Sequence, residues 1–266
     1  MILISGTQCV HAQWLNHPVP GTPRTRDGKP NLSAPAPRAS NGKPDLSGIW
    51  EPEGAPFNEL LRYLPDGGVN GLGEDAPSQY FFNLLADFKP EEAPLRPQAA
   101  KLMRESAGKS PITFCLPAGL PLADTVPAPH KLVQTPGLIL MLYEADTSFR
   151  QIFTDGRKLP ADPQPAWMGY SVGRWEGDTL VVDSAGFNDR SQLDAFGHPH
   201  SEALHVTERF RRRDFGHLEL QITLDDPKTF TRPFTVKVTQ RLLPDTDLIE
   251  SVCNENEKDT RHMAAK

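Results

Sequence analysis

The sequence has no hydrophobic run long enough to cross a membrane and no excess of positive charge. A membrane-spanning helix needs about 20 apolar residues, and no run in the 266 residues approaches that length. The 28 lysines and arginines are outnumbered by 34 aspartates and glutamates, for a net charge of −6. An acidic chain repels nucleic-acid phosphates unless a local basic stripe overrides the repulsion. These absences exclude a membrane-spanning helix and argue against a nucleic-acid partner.

Two common motifs are also missing. Ser171, Ser184 and Ser201 lack the Gly-x-Ser-x-Gly turn between a strand and a helix with which α/β-hydrolases expose their nucleophile. The glycine-rich stretch 67–71 is not followed by the Lys-Ser/Thr pair of a phosphate-binding loop. An α/β-hydrolase fold and a P-loop are therefore not indicated.

The first residues resemble the end of a signal peptide. Residues 1–4 are apolar, and 10–12 place small side chains before Gln13 as a cleavage site does. We therefore interpret 1–12 as a signal-peptide remnant. The alternative is an ordinary disordered N-terminus.

Cysteine is scarce, with three in the chain. Cleavage before Gln13 would remove Cys9 and leave Cys115 and Cys253, an even count in an oxidising compartment where a disulfide persists. The alternative is two separate buried thiols.

Proline, by contrast, is abundant and unevenly placed. Of 27 prolines, 20 fall in residues 1–136 and seven in 137–266, so an irregular front half precedes a regular back half. Residues 13–45, which contain the near-repeat 27–33 and 41–47, predict an extended leader over the surface. The remaining divisions are a single β-domain over 46–259, a helical insertion at about 76–108 and a disordered tail at 260–266.

Two helices are predicted inside the insertion. Residues 78–88 start with a capping Ser78 and carry a broad apolar face. Residues 97–106 start with proline in the first turn and stop at Gly108, the usual asymmetry of helix ends. We expect both helices to lie across an opening of the β-domain.

From His130 onward the hydrophobic pattern has a period of two. The clearest case is 217–224, where Leu218, Leu220, Ile222 and Leu224 alternate with polar residues. Short turn signals such as Asp155-Gly156 separate such runs. About eight to ten strands joined by short turns predict an all-β, antiparallel meander, closed as a barrel because closure leaves no exposed edge.

The first strand carries Gly48-Ile49-Trp50, which resembles the Gly-x-Trp signature that opens lipocalins and related calycin barrels. In those barrels the tryptophan plugs the closed end, so the resemblance implies a lipocalin-like barrel. Roughly 80 non-strand residues follow the motif, and no second lipocalin motif is present. The resemblance is therefore to a lipocalin-like barrel with an N-terminal insertion.

A second resemblance covers more of the chain. The blocks 173–189 and 197–210 resemble a family of exported bacterial proteins of unknown function, over about residues 44 to 259. The resemblance implies a periplasmic or extracellular location and carries no activity.

The densest group of chemically active side chains lies in one loop. Five of eight histidines fall between residues 130 and 217, and three of them, His198, His200 and His205, sit together. Asp189 and Asp194 precede them in a polar loop at about 186–201. A loop of that length between strands is usually functional or disordered, so this one is the best site candidate.

Two chemistries compete for this loop. In the first, two or three of His198, His200 and His205 with a carboxylate bind a divalent metal such as zinc and leave one position open for water. In the second, which needs no cofactor, His200 is the acid or base and either Asp189 or Asp194 orients it, with Asp189 preferred. Glu208, whose face also carries Val206 and Phe210, would then be a buried catalytic carboxyl group with a raised pKa.

For Glu208 the alternative is a structural ion pair with Arg150, Arg174 or Arg209. Substrate contacts are predicted from Trp167 and Trp175 at the barrel mouth, together with those three arginines, although core packing is the commoner fate of tryptophan.

These observations favour an exported enzyme that performs general acid–base chemistry, as a lyase, isomerase or hydrolase, on a small, partly apolar molecule held in the barrel. The alternative is a periplasmic carrier of an apolar ligand without catalysis. A third hypothesis, a structural or envelope-associated interaction protein, predicts a filled barrel and no pocket. The oligomeric state stays open.

Overall fold

Nine β-strands close into a barrel in the computed structural model, which describes residues 17–61, 77–106 and 115–253. The strands are β1 Gly48–Pro52, β2 His130–Thr135, β3 Leu138–Tyr143, β4 Phe149–Phe153, β5 Tyr170–Glu176, β6 Thr179–Ala185, β7 His205–Arg212, β8 His217–Asp225 and β9 Phe234–Leu242. The helices are short: α1 Phe57–Leu60, α2 Gln79–Phe82, α3 Pro97–Glu105 and α4 Leu122–Thr125. The predicted all-β barrel is confirmed at this level.

The strands follow one another around the barrel, and β1 closes the ring by pairing with β9. Every neighbouring pair is antiparallel except β4 and β5, which run parallel and pair at only two positions, Ile152 with Ser171 and Phe153 with Val172. A ring with an odd number of strands cannot alternate in direction all the way round. The prediction of a purely antiparallel barrel is corrected accordingly, and the β4–β5 junction is a short parallel seam.

Alternating side chains fill the barrel. On β8, Leu218, Leu220, Ile222 and Leu224 are all buried, as the period of two predicts. β7 places Val206, Glu208 and Phe210 on the same inward face. A carboxyl group therefore points into the barrel lumen between two apolar side chains of its own strand.

Trp50 is fully buried at one end of the barrel, where its indole N–H donates to the Leu46 carbonyl oxygen at 3.0 Å. The Arg212 guanidinium lies 4.8 Å from the ring centroid and donates to the Asp45 carbonyl oxygen at 2.6 Å. Burial lowers the pKa of Arg212 to about 10. Gly48 cannot be replaced easily, because a Cβ atom there would lie 2.5 Å from Leu242.

The leader is fastened to the barrel at two matching turns formed by the near-repeat. In the first turn the Arg24 guanidinium donates to the Gly28 carbonyl oxygen at 3.1 Å, and in the second Arg38 donates to that of Gly42 at 2.7 Å. Each arginine also pairs with a barrel carboxylate, Arg24 with Asp245 at 2.6 Å and Arg38 with Asp178 at 2.8 Å. The extended leader of the prediction is thus two hydrogen-bonded turns anchored by ion pairs.

The first predicted helix of the insertion is much shorter than expected. Ser78 caps α2 as predicted, by accepting a hydrogen bond from the Tyr80 N–H at 3.3 Å. The helix then stops at Phe82, because Asn83 is extended and the Leu84 N–H donates to the Asp194 side chain at 2.8 Å. The second helix, α3, agrees with its prediction over Pro97–Glu105.

A disulfide joins Cys115 and Cys253 across 138 residues, with the Cα atoms 5.5 Å apart. This pairing replaces the alternative of two separate thiols. Within the described segments, no helix is both long and apolar enough to span a bilayer. Several predictions lie outside the described residues: the signal-peptide remnant at 1–12, the stretch 67–71, the stop at Gly108 and the tail at 260–266.

Candidate active site

The loop between β6 and β7 holds two buried histidines, and each has a different partner. His198 Nδ1 lies 2.6 Å from Asp194 Oδ2. Asp194 is fully buried and also accepts hydrogen bonds from the backbone N–H groups of His198 and Leu84. This pair therefore ties the loop to the segment after α2, which is a structural role.

His200 instead pairs with a hydroxyl group. Its Nε2 atom lies 2.8 Å from Ser191 Oγ, and its Nδ1 atom lies 3.2 Å from the Ser201 carbonyl oxygen. A carbonyl oxygen can only accept, so Nδ1 carries the proton of the neutral imidazole and Nε2 accepts from the Ser191 hydroxyl. This is the arrangement in which a histidine can remove a proton from a serine.

Burial keeps this imidazole in its basic form. Both side chains are nearly inaccessible, with 6% of His200 and 5% of Ser191 exposed. Burial lowers the pKa of His200, because loss of water disfavours the charged imidazolium. His200 is therefore neutral near pH 7 and available to accept a proton.

Asp226 holds the Ser201 carbonyl group in place. Its carboxylate accepts hydrogen bonds from the Ser201 N–H at 2.7 Å, the Ser201 hydroxyl at 2.8 Å and the Thr229 hydroxyl at 2.7 Å. Burial alone would raise the pKa of Asp226, but hydrogen bonds led by that of the Ser201 backbone lower it overall. Asp226 is thus an anion that orients His200 through the backbone of Ser201.

Gly119 allows the chain to approach the serine closely. Its φ is +71°, and a Cβ atom built there would lie 2.5 Å from Ser191 Oγ. Any larger side chain would press against the hydroxyl or move the backbone. The segment that follows Cys115 therefore forms one wall around Ser191.

Ser191 and His200 face a surface cavity of about 460 Å³ between the loop and α3. Its other lining residues are Leu102, Glu105, Ser106, Asp189, Arg190, Gln192, Gly197 and Pro199. The wall is mixed, with polar groups of both charges beside apolar patches. A small organic molecule of partly polar character fits such a site.

Of the predicted catalytic residues, His200 and Asp189 line the same cavity, whereas Glu208 lies apart from them on the inward face of β7. Asp189 lines the cavity, but the ring nitrogens of His200 face Ser191 and Ser201. The Ser201 carbonyl oxygen takes the orienting position that was predicted for Asp189. Glu208 lies in the barrel interior, and Arg150 binds both of its oxygens, Oε1 through Nη1 at 3.0 Å and Oε2 through Nη2. Of the ion pairs that the sequence left open, the one with Arg150 is present.

Arg150 is the centre of a larger polar cluster inside the barrel. Its Nε atom donates to Ser171 at 3.0 Å and its Nη2 atom to Ser184 at 2.9 Å. Asp124 Oδ2 lies 4.0 Å from Arg150 Nη1, and Asp124 Oδ1 accepts from the Tyr143 hydroxyl at 2.9 Å. Burial, followed by repulsion from Glu208, raises the pKa of Asp124 to about 8. One guanidinium thus neutralises one carboxylate, and the second carboxyl group keeps its proton.

The predicted metal site is not formed. His205 Nε2 lies 4.0 Å from Asp183 Oδ1, while His198 and His200 are engaged with Asp194 and Ser191. In the three described segments, no group of three or more His, Cys, Asp or Glu side chains is arranged to hold a metal ion. The three-histidine arrangement is corrected because each ring already has a different neighbour.

The residues predicted to contact substrate are dispersed. Trp167 and Arg150 line a separate cavity of about 510 Å³ beside the β4–β5 seam. Arg174 pairs with Asp183 at 2.5 Å, Arg209 pairs with Glu176 at 3.0 Å, and Trp175 packs partly buried against the core. None of the five lines the cavity of Ser191 and His200.

Sequence reasoning missed Ser191 and Asp226. Ser191 lies nine residues before His200 in the same irregular loop, where no periodicity relates one position to another. The available signal was the loop itself, which is rich in polar residues and contains this serine. Asp226 lies 25 residues from Ser201, in the turn after β8.

Comparison of the chain with protein-family models, with curated proteins and with solved structures found no match. The site geometry is therefore the basis for assigning a function.

Proposed function

We propose that the protein is a hydrolase that cleaves an ester of a small, partly apolar molecule, with Ser191 as nucleophile and His200 as general base. The observation that carries this proposal is the hydrogen bond between Ser191 Oγ and His200 Nε2 at 2.8 Å, at the wall of a cavity of about 460 Å³. The proposal keeps the acid–base chemistry expected of the loop and moves it from the barrel lumen to the surface cavity.

In the proposed reaction, His200 transfers a proton at each step. As Ser191 Oγ attacks the ester carbonyl carbon, its proton passes to His200 Nε2, and the Nδ1–H bond to the Ser201 carbonyl oxygen stabilises the imidazolium. His200 then gives this proton to the departing alkoxide, which leaves an acyl group on Ser191. In the second half, His200 removes a proton from water, the resulting hydroxide attacks the acyl carbon, and Ser191 recovers its proton as the acid leaves.

The carrier hypothesis locates the ligand inside the barrel and gives the Ser191–His200 pair no function. The lumen-facing side chains of β7, β8 and β9 are buried and packed together, which favours a site outside the lumen. A carrier would tolerate His200→Ala without any change in ligand binding, whereas an enzyme would lose turnover.

The proposal includes export and a lipocalin-like relationship. A disulfide between Cys115 and Cys253 supports an oxidising compartment, in agreement with the signal-like N-terminus. Trp50, buried at one barrel end beneath Arg212, supports the relationship that Gly48-Ile49-Trp50 implies.

The direct test is hydrolysis of a series of p-nitrophenyl esters by the wild type, Ser191→Ala and His200→Ala. We expect each variant to lose about a thousandfold or more in kcat/KM while keeping its fold. Ser33→Ala and His205→Ala are matched controls, because Ser33 is exposed in the leader and His205 lies on the barrel wall facing Asp183. Phenylmethylsulfonyl fluoride should add one sulfonyl group at Ser191, visible by peptide mass spectrometry. Full turnover by Ser191→Ala would overturn the proposal.

A further inference from the structure

The cavity beside the β4–β5 seam has mostly aromatic walls. Its volume is about 510 Å³, and Phe149, Phe153, Trp167 and Tyr170 all line it. Phe149 is 61% exposed, the largest fraction among the large apolar side chains that the structure describes. The other three rings are only partly buried. Aromatic surface that stays open at a concave wall is typical of a ligand site.

The same cavity is bordered by a carboxylate that has no partner. Asp146 lines the cavity and is only partly buried, so its carboxylate can be reached from there. Within the described segments, no group donates a hydrogen bond to this carboxylate or forms an ion pair with it. Burial therefore raises the pKa of Asp146 with no neighbouring group to offset the effect. A partly desolvated carboxylate without a partner is unfavourable, and a bound cation would relieve this cost.

The backbone holds Asp146 at the wall in a strained turn. Asp146 and Thr147 both have left-handed backbone, with φ of +59° and +48°. This conformation is unfavourable, above all for a β-branched residue such as threonine. The Thr147 hydroxyl donates to the Ser251 carbonyl oxygen at 3.1 Å, which fixes the turn. Backbone strain of this kind is concentrated at ligand sites, so the turn agrees with a binding role for Asp146.

The net charge of the wall suits a cation. Among the described residues that line the cavity, Asp146 and Arg150 are the charged ones. The Arg150 guanidinium is directed into the barrel, where Glu208 neutralises it. The charge that remains without a partner at the wall is therefore negative.

The rings of this cluster already attract cations. The face of an aromatic ring is electrostatically negative and binds a cation within about 6 Å of the centroid. The Arg157 guanidinium lies 3.8 Å from the Phe153 centroid, and that of Arg190 lies 5.6 Å from the Trp167 centroid. Neither arginine belongs to the cavity lining, so both contact the rings from outside and leave the cavity to a ligand.

We propose that this cavity binds an organic ammonium cation, with Asp146 as the counter-charge and Phe149 and Trp167 as aromatic walls. We call these three residues the seam site. A quaternary ammonium group fits it because its surface is apolar while its charge is positive, which are the properties that aromatic faces and a carboxylate recognise together. The seam site is separate from Ser191 and His200, so binding there does not depend on ester hydrolysis.

The test compares two ligands that differ in one atom. Choline carries a positively charged nitrogen where 3,3-dimethylbutan-1-ol carries a neutral carbon. Binding of each to the full chain is followed by NMR titration, which detects weak binding. We expect the wild type to bind choline about five- to thirtyfold more tightly, the usual effect of a cation on aromatic faces. Asp146→Asn, which tolerates the left-handed backbone, and Phe149→Leu, which keeps an apolar surface, should each reduce this preference at least about twofold.

The matched controls are Asp162→Asn and Phe196→Leu, because both residues are exposed and lie outside the cavity lining. Both variants, and Ser191→Ala, should bind choline as the wild type does. Equal binding of the two compounds, or no binding of either, overturns the seam site. A preference for choline that Asp146→Asn and Phe149→Leu leave unchanged, or that Ser191→Ala removes, would place the cation elsewhere and overturn it too.

Discussion

The protein has two clusters of buried polar side chains, and they differ in whether they hold a reactive pair at a cavity. The interior cluster consists of Arg150, Glu208, Asp124 and Tyr143 inside the barrel. In it, Arg150 donates hydrogen bonds to Glu208 and to two serines. The loop site consists of Ser191, His200, Ser201 and Asp226. Its serine and histidine are hydrogen-bonded to each other and also border a cavity.

The contrast teaches that burial and charge alone do not identify a catalytic group. Glu208 shares an inward face with Val206 and Phe210, which is the sequence pattern of a desolvated catalytic acid. Its partner Arg150 makes it part of the core instead. His200 lies in the loop that the sequence identifies as the best site candidate, and its position beside Ser191 at a cavity gives it a reactive neighbour and a route for substrate.

The comparison predicts the largest effect for Glu208→Gln. Removing Glu208 leaves the Arg150 guanidinium with only the longer contact to Asp124 at 4.0 Å, so the free energy of unfolding should fall by at most about 3–5 kcal/mol. Denaturant unfolding measures this loss. The double variant Arg150→Met/Glu208→Leu should recover much of the stability, because an apolar pair needs no compensating charge.

The same variants sharpen the functional side of the comparison. At a temperature where the double variant is folded, its ester hydrolysis should stay close to that of the wild type. Loss of activity in a folded double variant would show that the interior cluster takes part in the reaction. The two clusters would then not divide into a structural one and a catalytic one.

Asp226→Asn tests whether the loop site is positioned through Ser201. In the wild type, the N–H and hydroxyl groups of Ser201 donate to the Asp226 carboxylate. Asparagine has the same size but no charge, so it weakens these hydrogen bonds. A hydrogen bond to a charged group contributes about 1.5–3 kcal/mol, so kcat should fall about 10- to 100-fold with KM little changed. Asp225→Asn, at the exposed end of β8, is the neighbouring control. An unchanged kcat would contradict the positioning role.

The raised pKa of Asp124 predicts that the stability of the protein falls as the pH rises towards 8. Its folded pKa of about 8 lies above its unfolded value near 3.8, so its stabilising effect is complete below pH 3.8 and is lost as the pH rises to 8. Burial lowers the pKa of His130 to about 3, which gives the opposite slope between pH 3 and 6.5. Between pH 6.5 and 8 the Asp124 slope remains, about 1.4 kcal/mol per pH unit at most.

Asp124→Asn should flatten this part of the curve, since asparagine mimics the protonated acid. Urea unfolding at pH 6.5, 7.25 and 8 measures the slope in the variant and in the wild type. An equal slope in both proteins would show that Asp124 is not the group that titrates.

The smallest effect concerns the pH profile of the reaction. His200 must be neutral to act as a base, and burial lowers its pKa. The acidic limb of kcat/KM should therefore have its midpoint below pH 6.5, the ordinary value of histidine. A midpoint above 6.5 would indicate that the base is another group or is less buried.

Much of the fold follows from local patterns in the sequence. The alternation in 217–224 predicted β8, because side chains on a strand point to opposite faces and only one face is buried. Ser78 and Pro97 marked two helix starts for reasons confined to their own turns. The loop between β6 and β7 was identified by its polarity and length.

Contacts between residues far apart in the chain could not be predicted from the sequence. Helix α2 stops after Phe82 because the Leu84 N–H donates a hydrogen bond to the side chain of Asp194, which lies 110 residues further along the chain. The direction of β5 depends on the path of residues 154–169, and it creates the parallel seam. Such choices follow from packing in three dimensions, for which the sequence carries no local signal.

By itself, therefore, the sequence determined an acidic chain with an all-β barrel, an irregular front half, two cysteines able to pair and a polar loop rich in histidine. Only the tertiary structure decided which of these polar residues are partners. It paired Glu208 with Arg150 across 58 residues and His200 with Ser191. The physical reason is that composition and periodicity specify which side chains are buried, whereas hydrogen bonds and cavities depend on distances that arise only when separate segments pack together.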